Sequence, residues 1–224
     1  MIPRGLRLAG IAAFGLMLGW NGNILAGEVL PAAGTVEVAF SPWDDAEGLV
    51  LRTLASAKQS IRVQAYVLTS RNIAAALQQA KERGLDVRLL ADREQMERND
   101  NSLVPQMAAA GVAVRLETRY SAAHNKVLIL DADGPHPVVV TGSYNFSWSA
   151  QARNAENLLV LRDNPRLAKA YRDNWQRQWD EAEPFSATTS SSTNSTRPHR
   201  ATRRDATVCA LLSPEEKRLT SDCR

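Results

Sequence analysis

The sequence predicts an α/β domain: a mixed, largely parallel sheet with helices on both faces. Three observations predict it. Strand-like and helix-like stretches alternate between residues 35 and 117, the pattern of parallel strands joined by crossover helices. Three apolar strand runs with short connections then follow between residues 125 and 162. A long helical stretch after Asn164 closes the body.

TVEVAF (35–40) alternates apolar and polar residues as a half-buried strand does. A helix over 44–58 follows, with Ser41 or Asp44 as its cap. SIRVQAYVL (60–68), rich in β-branched and aromatic residues, is the second strand. Ser70 caps RNIAAALQQAKERG, and Gly84 stops that helix. LDVRLLAD (85–92) is the third strand. A polar stretch then leads to a helix over 103–110, ended by Gly111, and VAVRLE (112–117) is the fourth strand. NKVLILD (125–131) and PVVVTGS (137–143) are joined by ADGPH, whose Asp-Gly marks a hairpin turn. ENLLVLR (156–162) is another strand. Asn164-Pro165 opens a helix to Ala182, on which Trp175 and Trp179 lie one turn apart, the spacing of core packing. No internal repeat is present.

The ends differ from this body. Residues 1–26 carry two arginines, then about 13 apolar residues, too few for the ~20 that span a bilayer. This is the layout of a secretory signal ending at Ala26, and it predicts a periplasmic or secreted protein. Residues 27–184 form the folded domain, with its core over 34–184; 185–207 read as a Ser/Thr/Arg-rich linker and 208–224 as an appendage. Cys209 and Cys223, the chain's only cysteines, can close a small loop in an oxidising compartment. Residues 27–184 hold 18 basic and 20 acidic residues, so the basic balance of the whole chain belongs to its ends. That balance therefore does not in itself show a nucleic-acid-binding body.

The chemistry gathers in HNKVLILD (124–131). Strand alternation puts His124 and Lys126 on one face and Asp131 on the other. The first two suit a phosphate oxyanion, while Asp131 holds the back of the strand or its turn. GSYN (142–145) adds Gly142 for close backbone approach, with Ser143 and Asn145 as short polar donors. Glu156 opens a strand and can orient the imidazole by accepting its second N–H. With 3 His, 5 Lys and 12 Asp in the chain, chance gives His-x-Lys-x4-Asp only about 0.003 times. His136 and His199 lack such company and read as turn and linker residues.

HNKVLILD followed by GSYNFS and NAEN resembles the HxKxxxxD–GSxN signature of the phospholipase D superfamily, most closely its small bacterial endonucleases with one motif per chain. The likeness spans about residues 36–182. It implies a phospholipase D-like fold and a site shared by two protomers, so a homodimer. It assigns His124, Lys126, Ser143, Asn145 and Glu156 as the catalytic set, with His124 forming a phosphohistidine. It implies no cofactor and no metal, since two lysines and an imidazolium supply the positive charge. DNA is the expected substrate, with RNA as a second polymer and no sequence preference. The alternative is a phospholipase D or phosphatidyl transferase using the same residues, for which exposed Trp43 and Trp148 would form an apolar lip; rim or core packing is their expected role. A second alternative is a non-catalytic binding module of an export or conjugation apparatus.

Overall fold

The structure, a computed structural model, describes residues 27–186. The signal over 1–26, the linker from residue 187 onward, Cys209 and Cys223 lie outside the described residues. The chain divides into two units after Pro31. Residues 27–31 of the first have no helix or strand, and the second carries every described element.

Eight strands form one sheet: β1 (Thr35–Ser41), β2 (Ser60–Ala65), β3 (Asp86–Asp92), β4 (Ala113–Glu117), β5 (Lys126–Leu130), β6 (Val138–Gly142), β7 (Glu156–Arg162) and β8 (Glu183–Pro184). Their order is β1-β7-β6-β5-β2-β3-β4-β8. The sheet is mixed, but "largely parallel" is corrected: only β2–β3 and β3–β4 pair in parallel. The reason lies in the connections. A parallel return needs a crossover, which α2 (Arg71–Glu82) supplies between β2 and β3. Between β3 and β4 it is supplied by α3 (Arg93–Arg98) and α4 (Val104–Ala109). The short Asp131–Pro137 turn leaves β5 and β6 no choice but antiparallel pairing. Residues 118–125 likewise hold no helix, and β5 comes back antiparallel to β2.

Helices cover both faces. On one, α1 (Ala46–Ser56) and α2 pack Leu49, Val50, Leu54, Ile73 and Leu77 into a core with Ile61, Val63, Leu89, Leu128, Val140 and Val160. On the other, α6 (Pro165–Glu181) lays Ala168, Trp175 and Trp179 over Leu90, Val127, Ile129 and Val139. The two tryptophans are core, as their spacing predicts. Their rings stack at 4.8 Å, and Trp175 donates to the Val63 carbonyl at 3.0 Å. Arg62, Arg88 and Arg115 lie against these rings at 5.5, 5.9 and 5.1 Å.

Local chemistry sets the boundaries. Ser70 caps α2 as expected, accepting from Ile73 N at 3.2 Å. The cap of α1 is corrected to Asp45, which accepts from Gly48 N at 2.8 Å. Ser41 instead donates to the Ala150 carbonyl at 2.6 Å, tying β1 to α5 (Trp148–Ala152). Asp131, expected to hold the back of the strand or its turn, directly follows β5. Its carboxylate accepts from Lys58 N, Gln59 N and Ser60 N, each at 2.8 Å, and so clamps the start of β2.

Three backbone donors lose their partner if that carboxylate goes. Asp131→Ala is therefore expected to lower stability by about 2–4 kcal/mol. Urea denaturation measures this, and a loss below about 0.5 kcal/mol would contradict the clamp.

Candidate active site

The strand pairings deliver the sequence-predicted residues to one end of the sheet. Ala65 sits opposite Lys126, Leu128 opposite Val140, Gly142 opposite Leu158, and Ser41 opposite Glu156. The starts of β5 and β7 thus lie beside the end of β6. Asp131, at the far end of β5, takes no part there.

Lys126 is the centre of the arrangement. Only 5 % exposed, its Nζ donates to the His124 carbonyl at 2.7 Å and lies 2.9 Å from His124 Nδ1. It also sits 4.6 Å from the centroid of the Tyr66 ring. Burial lowers its pKa to about 8, against which the Glu156 carboxylate favours the charged form. Lys126 is therefore charged at neutral pH and easily discharged above it. With the ammonium donating to Nδ1, a neutral His124 ring carries its proton on Nε2, and the residue is exposed.

Gly142 has φ +149° and carries the chain so close to β7 that a Cβ would lie 2.3 Å from the Asn157 carbonyl oxygen. Only glycine fits there. Ser143 follows, exposed, its Oγ accepting from Asn157 N at 3.1 Å and Asn157 Nδ2 at 3.3 Å. Its own O–H stays available to a ligand oxygen. Asn145 is half-buried, and its Oδ1 is buried without a partner. Turning the carboxamide over would offer an N–H at the same place.

Glu156 differs from the expectation. Within one chain its Oε1 accepts from Asn154 Nδ2 at 2.9 Å, and His124 Nδ1 faces Lys126 instead. Three further residues escaped sequence reasoning. Tyr66 packs against His124 with ring centroids 4.2 Å apart, tilted by 55°. Asp92 Oδ2 accepts from Ala123 N at 2.7 Å. Glu117 Oε1 accepts from Thr118 N and Arg119 N at 3.1 and 3.0 Å. The two acids anchor the segment that delivers His124; an acid at a strand's last position, followed by polar residues, was the signal. Trp43 and Trp148, expected to pack, are 81 % and 59 % exposed. Trp148 keeps one face on Arg153, at 4.7 Å.

A buried ammonium, an imidazole, a hydroxyl and an unpaired amide are thus brought to one end of the sheet of an α/β domain. A family model described as "cardiolipin synthase, PLD-like domain" matches residues 50–179, and the chain belongs to this phospholipase D-like family. A protein named phospholipase D from Rickettsia prowazekii is 36 % identical over 140 residues, 62 % of this chain. The match covers 65 % of that relative, just under two thirds of its length. Mitochondrial cardiolipin hydrolase of Xenopus tropicalis is 31 % identical over 143 residues, 64 % of this chain and 65 % of its own. Among solved structures, a phospholipase D family member, Nuc from Salmonella typhimurium, is 35 % identical with TM-score 0.63, covering 67 % of this chain and 97 % of Nuc. NucT from Helicobacter pylori, 23 % identical with TM-score 0.60 over 67 % of this chain and 99 % of its own, shares the fold.

The lysine's burial predicts a stability effect. A lysine whose folded pKa lies below its unfolded value of 10.5 weakens the fold most where both states are charged, below about pH 8. Stability is recovered as pH rises from about 8 toward 10.5, where only the unfolded chain stays charged. Lys126→Met should accordingly raise stability at pH 7 by roughly 1–2 kcal/mol, with the gain shrinking toward pH 10. Urea melts at both pH values test this, and an equal effect at both would contradict it.

Proposed function

We propose that the protein is a metal-independent phosphodiesterase, acting as an endonuclease on DNA, with RNA as a second polymer, with a site shared by two copies of the chain. The observation that carries the reading is the single His124–Lys126 pair at the sheet end, beside Ser143 and Asn145. A phosphodiester needs a nucleophile and a proton donor for the leaving oxygen in one step, and one imidazole cannot be both. The donor ring must be an imidazolium, protonated on both nitrogens, since a neutral ring that gave up its Nε2 proton would be left as an imidazolate. The attacking ring needs its proton on Nδ1, hence an acceptor there; Glu156 of the other copy, with one carboxylate oxygen beyond Asn154's reach, is the group we assign to it.

In this mechanism Nε2 of one His124 attacks phosphorus, and the leaving alkoxide takes the proton from Nε2 of the partner's His124. The phosphohistidine is then hydrolysed by water that gives its proton back to the second imidazole. Lys126 and Asn145 of both copies and Ser143 hold the non-bridging oxygens. Two ammonium groups and an imidazolium supply the charge a divalent cation supplies elsewhere.

A second copy also answers a feature of the sheet. Val36, Val38 and Phe40 point to the α6 face of β1 and are exposed, beside half-buried Leu159 and Leu161. Their strand ends at Ser41, opposite Glu156, so this apolar stripe borders the site. We assign it to the homodimer contact. Export to the periplasm or medium, with residues 185–224 as linker and appendage, belongs to the same proposal and rests on composition.

Nucleic acid is favoured by the match to nearly the whole of Nuc and by the resemblance to small single-motif endonucleases. Phospholipid is the second reading. It is favoured by the exposed Trp43 and Trp148 and by relatives named phospholipase D and cardiolipin hydrolase.

Mature protein (27–224) in excess EDTA should nick plasmid, and His124→Ala should cut at least about 1,000-fold more slowly while keeping its fold. Cleavage of cardiolipin vesicles alone would transfer the site to the lipid reading; cleavage of neither would end the catalytic one. Phe40→Asp is expected to yield a folded monomer by sedimentation and to lose activity with the dimer. An active monomer would contradict the shared site.

A further inference from the structure

We infer that Tyr66 is a positioning residue for this reaction, and that the π face of its ring, rather than its hydroxyl, holds His124 and Lys126 in their working arrangement. The inference rests on the phosphodiesterase reading above. Tyr66 directly follows β2, and its N–H donates to the Asn125 carbonyl at 3.0 Å. That bond extends the β2–β5 ladder one step past the Ala65–Lys126 pair. The ring is thereby fixed against the strand that carries both functional side chains. It touches each of them: the imidazole at 4.2 Å between centroids, tilted by 55°, and the ammonium at 4.6 Å.

Two physical consequences follow. An aromatic face attracts a cation through its quadrupole while carrying no net charge. A carboxylate in the same place would hold Lys126 more tightly, but it would also repel the oxyanion the lysine has to bind. The tyrosine ring stabilises the ammonium without that penalty, and it serves an imidazolium in the same way. The tilted contact is also a wall. It opposes rotation of His124, keeping Nδ1 toward Lys126 Nζ. The groups facing Lys126 are then His124 from its own segment, Glu156 from β7 and the Tyr66 ring just after β2. Besides the His124 carbonyl, the ring supports the charge without adding a charge or a titrating carboxylate.

The test uses full-length mature protein in EDTA with bis(4-nitrophenyl) phosphate, a diester that presupposes neither nucleic acid nor lipid. Tyr66→Phe keeps the ring and should stay within about twofold of the parent in kcat, with the same pH profile. Tyr66→Leu should lose roughly tenfold in kcat with KM changed by less than about threefold, and its alkaline limb should move to lower pH. The limb moves because Lys126 loses a group that favours its charged form. Since leucine can disturb the fold, phenylalanines of increasing fluorination at position 66 provide a second series of unchanged shape. Activity should fall stepwise with each fluorine as the ring face loses its negative potential. A flat fluorine series, or a Tyr66→Phe as impaired as Tyr66→Leu, overturns the inference. If the parent cleaves no diester, the phosphodiesterase reading fails. The ring's hold on Lys126 is then read separately, from the NMR titration of the Lys126 side chain in parent and fluorinated proteins. An unchanged titration overturns it.

Discussion

The arrangement depends on one constraint: an ammonium buried at the end of an inner strand. β5 is covered on both faces, so Lys126 cannot reach water by turning aside. A charge so placed needs compensation near at hand. The chain gives it the His124 carbonyl, one imidazole nitrogen, an aromatic face and the more distant field of Glu156. None of these is a close carboxylate. The charge is held and left incompletely answered, which is the state in which an incoming oxyanion binds best. Stability is given up at the spot where binding is wanted, a common relation between function and folding.

The six-residue span from Lys126 to Asp131 divides into two tasks. At one end the lysine faces the site. At the other, Asp131 gathers three backbone N–H groups and sets where β2 begins. The two ends are linked through register. Because β2 lies beside β5, clamping Ser60 near Asp131 fixes Ala65 opposite Lys126 and places Tyr66 against His124 and Lys126. A motif that reads as one functional set thus divides into a candidate-site end and an aligning end of the same strand.

Much of this was legible in the sequence. The β7 boundaries, the Ser70 cap, the β5–β6 hairpin and the core role of Trp175 and Trp179 follow from periodicity and turn chemistry, which are local. So does the common facing of His124 and Lys126. The sheet's mostly antiparallel character was not legible, because pairing depends on which strand a returning segment meets. The short elements α3, α5 and β8 hold too few residues for a periodic signal. The Asn154–Glu156 contact, the Tyr66 shelf and the Asp92 anchor join segments that the sequence keeps apart. The exposure of Trp43 and Trp148 ran against the burial usual for large apolar side chains, and a surface serving a ligand or second copy breaks that rule.

The central claim is that the imidazole of His124 itself attacks phosphorus, in a site completed by a second copy. The most direct measurement is an acid-free quench of the dimer with a radiolabelled diester in EDTA, followed by mapping of the labelled peptide. The account predicts an acid-labile, base-stable phosphoryl group on His124, at about one per two chains, because only one of the paired histidines is the nucleophile. Label on another residue, or cleavage with no covalent phosphoryl-enzyme under conditions that trap it, would contradict the account.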